Sequence, residues 1–246
     1  MIALVAVLLT AAPMLSSPVG QALTEPLRHG IPGSKVGQWA TFRIDGGPER
    51  VHFWRIAVVG EETDKKGRPA CWLELDMGQH HAMKAPMLQL KMLVARSVGF
   101  NADGITRVLV AVGTEKPNEL TDEAVARLLV DENPRPAPRP AAPGLPVELT
   151  SFTGKPTRLM TLAGTVSATP VELRLRSSMV KRVWVSEQVP LLHVAKMEIP
   201  GIGHTIEVRD FGINAQPQML LPQPGTAKIK LERYDDLVIE DPKQAQ

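Results

Sequence analysis

A period of two dominates this chain and limits what it can fold into. In Val171-Glu172-Leu173-Arg174-Leu175-Arg176 apolar and charged residues alternate strictly. The same beat runs through Ile206-Glu207-Val208-Arg209 and through Lys228-Ile229-Lys230-Leu231-Glu232. Leu73, Leu75 and Met77 alternate with Trp72, Glu74 and Asp76, and Leu88, Leu90 and Met92 alternate with Gln89 and Lys91. Successive side chains of an extended chain point to opposite faces, so these segments read as strands with one face buried and one face wet. Antiparallel sheets accept a wet face, whereas buried parallel sheets do not.

The pattern predicts strands near 36–45, 50–60, 70–78, 87–96 and 105–113, and a second set near 145–153, 157–167, 170–177, 180–188, 192–199, 204–211 and 227–234. Turn-forming clusters separate them, among them Asp45-Gly46-Gly47-Pro48 and Pro200-Gly201. Many short strands at regular spacing predict a mainly β fold. One helix is expected at 121–131, with Thr121 as its cap, Asp122 and Glu123 in the first turn, and Leu120 against Val125 as a hydrophobic staple. Residues 133–146 then carry six prolines in fourteen positions, which no helix or central strand tolerates, so they read as an extended connector. It divides a first β-rich half (23–132) from a second (147–246). The chain has five Phe, four Trp and one Tyr, too few to build two separate cores, so one continuous sheet is expected.

Ile2 to Leu15 is almost wholly apolar, yet shorter than the roughly 20 residues a membrane-spanning helix needs. Small residues follow up to Ala22, so 1–22 reads as a secretory signal peptide cut near Ala22, and the mature chain as an exported protein with no transmembrane span. One cysteine, Cys71, excludes an internal disulfide framework and any multi-cysteine metal site. A net charge of +2 spread over both signs leaves no footprint for nucleic acid.

Catalytic signatures do not assemble. Ser178-Met179-Val180-Lys181 spells the S-x-x-K pattern of penicillin-recognising enzymes, but it falls in a strand where that motif needs a helix start. Asp210-Phe211-Gly212 spells the kinase triplet without its companion motifs. The chain is therefore expected to be non-enzymatic and to need no cofactor. His80, His81 and Met83, beside Met77 and Met87, are the candidate metal ligands, since thioether and imidazole suit copper. The competing reading is a polar hairpin loop flanked by core methionines. In 50–60 both faces are apolar, so one face meets a core and the other a helix, a second sheet or an apolar ligand. Trp39, Phe42, Trp54, Trp72 and Trp184 are the expected core or cavity residues.

Val183-Trp184-Val185-Ser186-Glu187-Gln188-Val189-Pro190, followed by Val194-Ala195-Lys196-Met197 and by Asp210-Phe211-Gly212, resembles a recurrent segment of exported bacterial β-proteins. Val36-Gly37-Gln38-Trp39-Ala40-Thr41-Phe42 is similar to their first strand. The pattern resembles the superfamily of outer-membrane lipoprotein carriers. That resemblance implies a strongly curved antiparallel sheet, an unclosed barrel, with one or few covering helices. It also implies binding of an acyl chain or other hydrophobic molecule in the concave face. The single helix and the proline connector depart from the family pattern. Three functions follow as expectations: a hydrophobic-ligand binder, a structural or interaction module of the cell envelope with a protein partner, and a copper-handling protein.

Overall fold

The computed structural model describes residues 23–28, 30–31, 33–46, 51–129, 149–175, 178–223 and 226–228. The segment 1–22, expected to be a signal peptide, and the proline-rich connector expected at 133–146 lie outside them, as does most of the strand expected at 227–234. In chain order the strands are β1 (Trp39–Asp45), β2 (Val51–Thr63), β3 (Pro69–Gly78), β4 (Leu88–Ala95), β5 (Ile105–Val112), β6 (Asn118–Glu119), β7 (Leu149–Thr153), β8 (Thr157–Thr161), β9 (Gly164–Leu175), β10 (Ser178–Val185), β11 (Val194–Ile199) and β12 (His204–Gly212). The helix α1 spans Asp122–Leu129. Thr121 caps it, its hydroxyl accepting the Ala124 amide proton at 3.3 Å, and the staple residues Leu120 and Val125 are both buried.

All twelve strands form one antiparallel, unclosed sheet in the order β6-β5-β4-β3-β2-β1-β12-β11-β10-β9-β7, with β8 pairing the first part of β9. The first and last long strands, β1 and β12, join the two halves of the chain along seven residue pairs. Bulges interrupt the register at Thr41/Phe42, Val58/Gly60, Leu93/Val94, Met179/Lys181 and Trp184/Val185. Each adds local twist, which bends a wide sheet into its strong curve.

Three differences from the sequence pattern have clear causes. The expected strand 157–167 turns at Leu162-Ala163 to give the β8–β9 hairpin. Pro170 does not break β9, because it sits in the gap between the last β8 pair, at Ala168, and the first β7 pair, at Val171. Its carbonyl accepts from Gly154 on that edge, so the missing N–H costs no ladder bond there. His193, expected inside a strand, has a φ of 53° in the turn before β11.

Inner-face residues follow the register. Ala40, Ile56, Leu75, Leu90 and Val110 form one cross-strand row, and Phe42, Trp54, Met77 and Leu88 the next. All belong to one core cluster, which α1 covers through Ala124 and Val125 and the amino-terminal segment through Leu23, Leu27 and Ile31. Burying each large apolar side chain stabilises by about 1.5–3 kcal/mol.

Candidate functional site

The predicted residues do not converge on one site. Phe42 and Trp54 are 0% and 1% exposed, closed over by the chain's own core side chains. Trp39 and Trp72 lie on the opposite face of the sheet, in a second cluster with Ala57, Val59, Leu93, Leu109, Ala215 and Met219. Trp184, half-buried, lies in the second half of the sheet between the Arg182 guanidinium at 5.6 Å and the Lys196 ammonium at 5.3 Å.

The candidate metal loop is split. His80 and His81 are exposed and stack on each other with ring centroids 4.5 Å apart. The His80 Nδ1 accepts the Ala82 amide proton, and the His81 ring meets Phe53 edge-on. Met83 is buried, its sulfur packed over Gly78. Met77 faces the core as expected, but Met87 is 50% exposed and is no core methionine. It stands at the entry to β4, outside the alternation that begins at Leu88. Among the described residues no three His, Cys, Asp or Glu side chains are grouped to hold a metal ion. Cys71 is buried in the core, and burial pushes its thiol pKa up, which keeps it in the unreactive form.

Two features absent from the sequence reading stand out. The first is a buried charge lattice on the outer face. Register places Trp39, Ala57, Glu74, Lys91 and Leu109 in one row, and Thr41, Arg55, Asp76, Gln89 and Ala111 in the next. Glu74 and Asp76 are 0% exposed, Lys91 4% and Arg55 8%. Arg55 donates to Asp76 at 2.8 Å, Gln89 donates to the other Asp76 oxygen at 2.9 Å, and Lys91 lies 3.2 Å from Glu74. Burial raises the Asp76 pKa even with Gln89 and Arg55 opposing it: desolvation outweighs the cation.

An irregular strap after β12 seals this face. Gln218 and Met219 donate their amide protons to the two Glu74 oxygens at 2.9 and 3.0 Å, and Lys91 donates to the Met219 carbonyl at 2.7 Å. Upstream, Trp39 donates to the Asn214 side chain at 3.1 Å and Ala215 donates to the Gly37 carbonyl. Gly37 has a φ of 94°, and a Cβ there would sit 2.3 Å from the Ile213 carbonyl oxygen, so only glycine admits the strap. The alternation predicted a wet face for β3 and β4; both faces are in fact covered, because residues far along the chain fold back over them. The available signal was the apolar set Trp72, Leu93, Leu109 and Ala111 on the nominally polar face.

The second feature is the far end of the sheet. There β7, β9 and β10 carry a half-exposed ladder on one face. Phe152 pairs with Glu172, Glu172 with Arg182, and Arg182 with Glu198 across four strands. Glu172 binds Arg174 at 2.7 Å and Arg182 at 2.5 Å, and these hydrogen bonds hold its carboxyl below the usual range. The Arg174 guanidinium stacks over Phe152 at 5.4 Å. Phe152 itself is 54% exposed, on a strand paired on one side only among the described residues. The opposite sheet end differs: β6 is two residues long and α1 docks on β5 beside it.

No family model matches the chain. No curated protein matches it. Among solved structures it is similar to MucB in complex with MucA(peri), at 12% identity and a TM-score of 0.34 over 79% of this chain and 54% of that one. It is also similar to MucB of the Pseudomonas aeruginosa MucA/MucB complex, at 12% identity and a TM-score of 0.35 over 85% and 58%. An exported protein with a YmcC-like fold from Bacteroides fragilis is similar at 8% identity and a TM-score of 0.35, over 75% of this chain and 99% of that one. The chain spans little more than half the length of the MucB chains it matches. No helix among the described residues is long and apolar enough to cross a membrane.

Proposed function

We propose that this chain is an exported, non-enzymatic interaction module that adds an extended segment of a partner protein to the outer edge of β7. The supporting observation is the asymmetry of the sheet ends: β6 is short and has α1 docked beside it, while β7, among the described residues, is paired on one side only, with Phe152 and Arg174 near its outer edge. Uncovered edges offer a row of backbone donors and acceptors to another chain, and natural folds usually blunt them. The matching partner is an extended segment with an apolar and an acidic side chain two positions apart, so that both fall on the face that carries Phe152 and Arg174.

Titration with a short peptide in which Leu and Glu take turns at every second position, with Thr between them, tests this. It should slow amide hydrogen exchange across Leu149–Thr153, and Phe152→Lys should weaken its binding about tenfold, or 1.4 kcal/mol. No change in β7 exchange with such peptides would end the reading.

A second reading retains a hydrophobic ligand such as an acyl chain. It draws on the β8–β9 hairpin, where Met160 is 81% and Leu162 39% exposed. On that reading an acylated probe binds the wild type and is lost with Met160→Glu.

A further inference from the structure

The strap over β3 and β4 is gripped chiefly by its main chain. Both oxygens of Glu74 accept successive amide protons, from Gln218 and Met219, and Lys91 donates to the carbonyl of Met219. Backbone groups are common to all peptides, and two successive amides reach one carboxylate only where the chain bends, so this pair reads a main-chain bend rather than one particular sequence. Two side-chain seats add selectivity. Ala215 and Met219 are 8% and 2% exposed, set among Ala57, Val59, Trp72 and Leu93. The flanking residues hold nothing: Ile213 is 78% and Leu220 76% exposed.

A segment whose only task was to seal the face would be held at lower cost by apolar residues, because buried charges seldom outperform an apolar pack of similar volume. Positions 74 and 91 carry charge all the same; the two pair with each other, and both also hydrogen-bond peptide groups of the strap.

We propose that this face is a peptide-binding site occupied in cis. The strap is its displaceable occupant. In trans the site takes a segment of a partner protein that bends as Gln218 and Met219 do, with a small residue and, four positions later at the bend, an unbranched apolar one. The tether gives the strap a high effective concentration, so the site is closed until the strap is outcompeted or loosened. Glu74 and Lys91 stand on β3 and β4, in the half of the sheet away from β7, so this proposal does not rest on the β7 reading.

The probe is a fluorescein-labelled synthetic peptide of residues 213–223, added to the full chain and followed by anisotropy. Met219→Ala loosens the strap and leaves Glu74 and Lys91 in place. It should raise the affinity for the peptide about tenfold over the unmodified chain, and adding Glu74→Gln should cancel that gain. In the unmodified chain the amides of Gln218 and Met219 should exchange at least about tenfold faster than those of β3 and β4, since the strap opens without the sheet. If folded Met219→Ala binds the peptide no better than the unmodified chain, or if the strap amides exchange no faster than the sheet, the strap is a fixed part of the fold and the proposal is overturned. Should Met219→Ala fail to fold, the exchange rates of the unmodified chain decide alone.

Discussion

Glu74→Gln is the most informative single change to the outer face. The carboxylate is fully buried, accepts two backbone amide protons, and lies 3.2 Å from the Lys91 ammonium and 3.9 Å from the Arg55 guanidinium. Glutamine keeps the shape but offers one acceptor oxygen, so one strap amide meets an NH2 group. Lys91 loses its counter-charge, whereas Arg55 keeps Asp76. Breaking a buried ion pair from one side costs about 3–5 kcal/mol. Losing a hydrogen bond to a charged acceptor costs about 1.5–3 kcal/mol. Both effects belong to one carboxylate and overlap, so the expected loss is about 4 kcal/mol. Adding Lys91→Met removes the stranded cation and should restore about 2 kcal/mol. Urea unfolding followed by tryptophan fluorescence, with equal m-values across the cycle, measures both quantities. A single-variant loss below about 1 kcal/mol, or additivity within about 0.5 kcal/mol, would refute the argument that these charges act as a buried unit.

Three further expectations follow. Trp54→Ala, at the centre of the inner face, should cost about 3–5 kcal/mol in thermal unfolding, while Trp184→Ala at its half-buried place should cost clearly less. Cys71, with its thiol pKa raised by burial, should resist Ellman's reagent in the native state and react at once in denaturant; fast native labelling would show the core to be open there. Glu172, held below the ordinary carboxylate pKa by Arg174 and Arg182, contributes stability that is complete above its unfolded pKa of about 4.3 and fades as pH falls through the folded value. The stability gap between wild type and Glu172→Gln should therefore be present at neutral pH and close in acid, and a gap independent of pH would contradict the assignment.

The strands were legible because alternation is local. Leu73, Leu75 and Met77 announced the core face of β3, and the cap at Thr121 announced the start of α1, shifted by a single residue. The limits of β9 were less legible. A proline inside a strand is ruled out only if its edge has a neighbour, and which edge Pro170 faces depends on where β7 and β8 end. Alternation does not sort the five aromatic positions Trp39, Phe42, Trp54, Trp72 and Trp184 between the faces of the sheet. Phe42 and Trp54 share one face, Trp39 and Trp72 the other, and Trp184 belongs to a different part of the sheet.

Residue order by itself determined that this is a β-rich chain, that its strands run antiparallel, and which side chains of each strand point to the core, because those properties depend only on neighbours two positions apart. The partners across the sheet were decided by the tertiary structure alone. Glu74 meets Lys91 through cross-strand register, and both meet Gln218 and Met219 because a segment well over a hundred residues later crosses above them. Whether a charged face stays wet or becomes a dry lattice depends on what folds over it, and no local pattern carries that information.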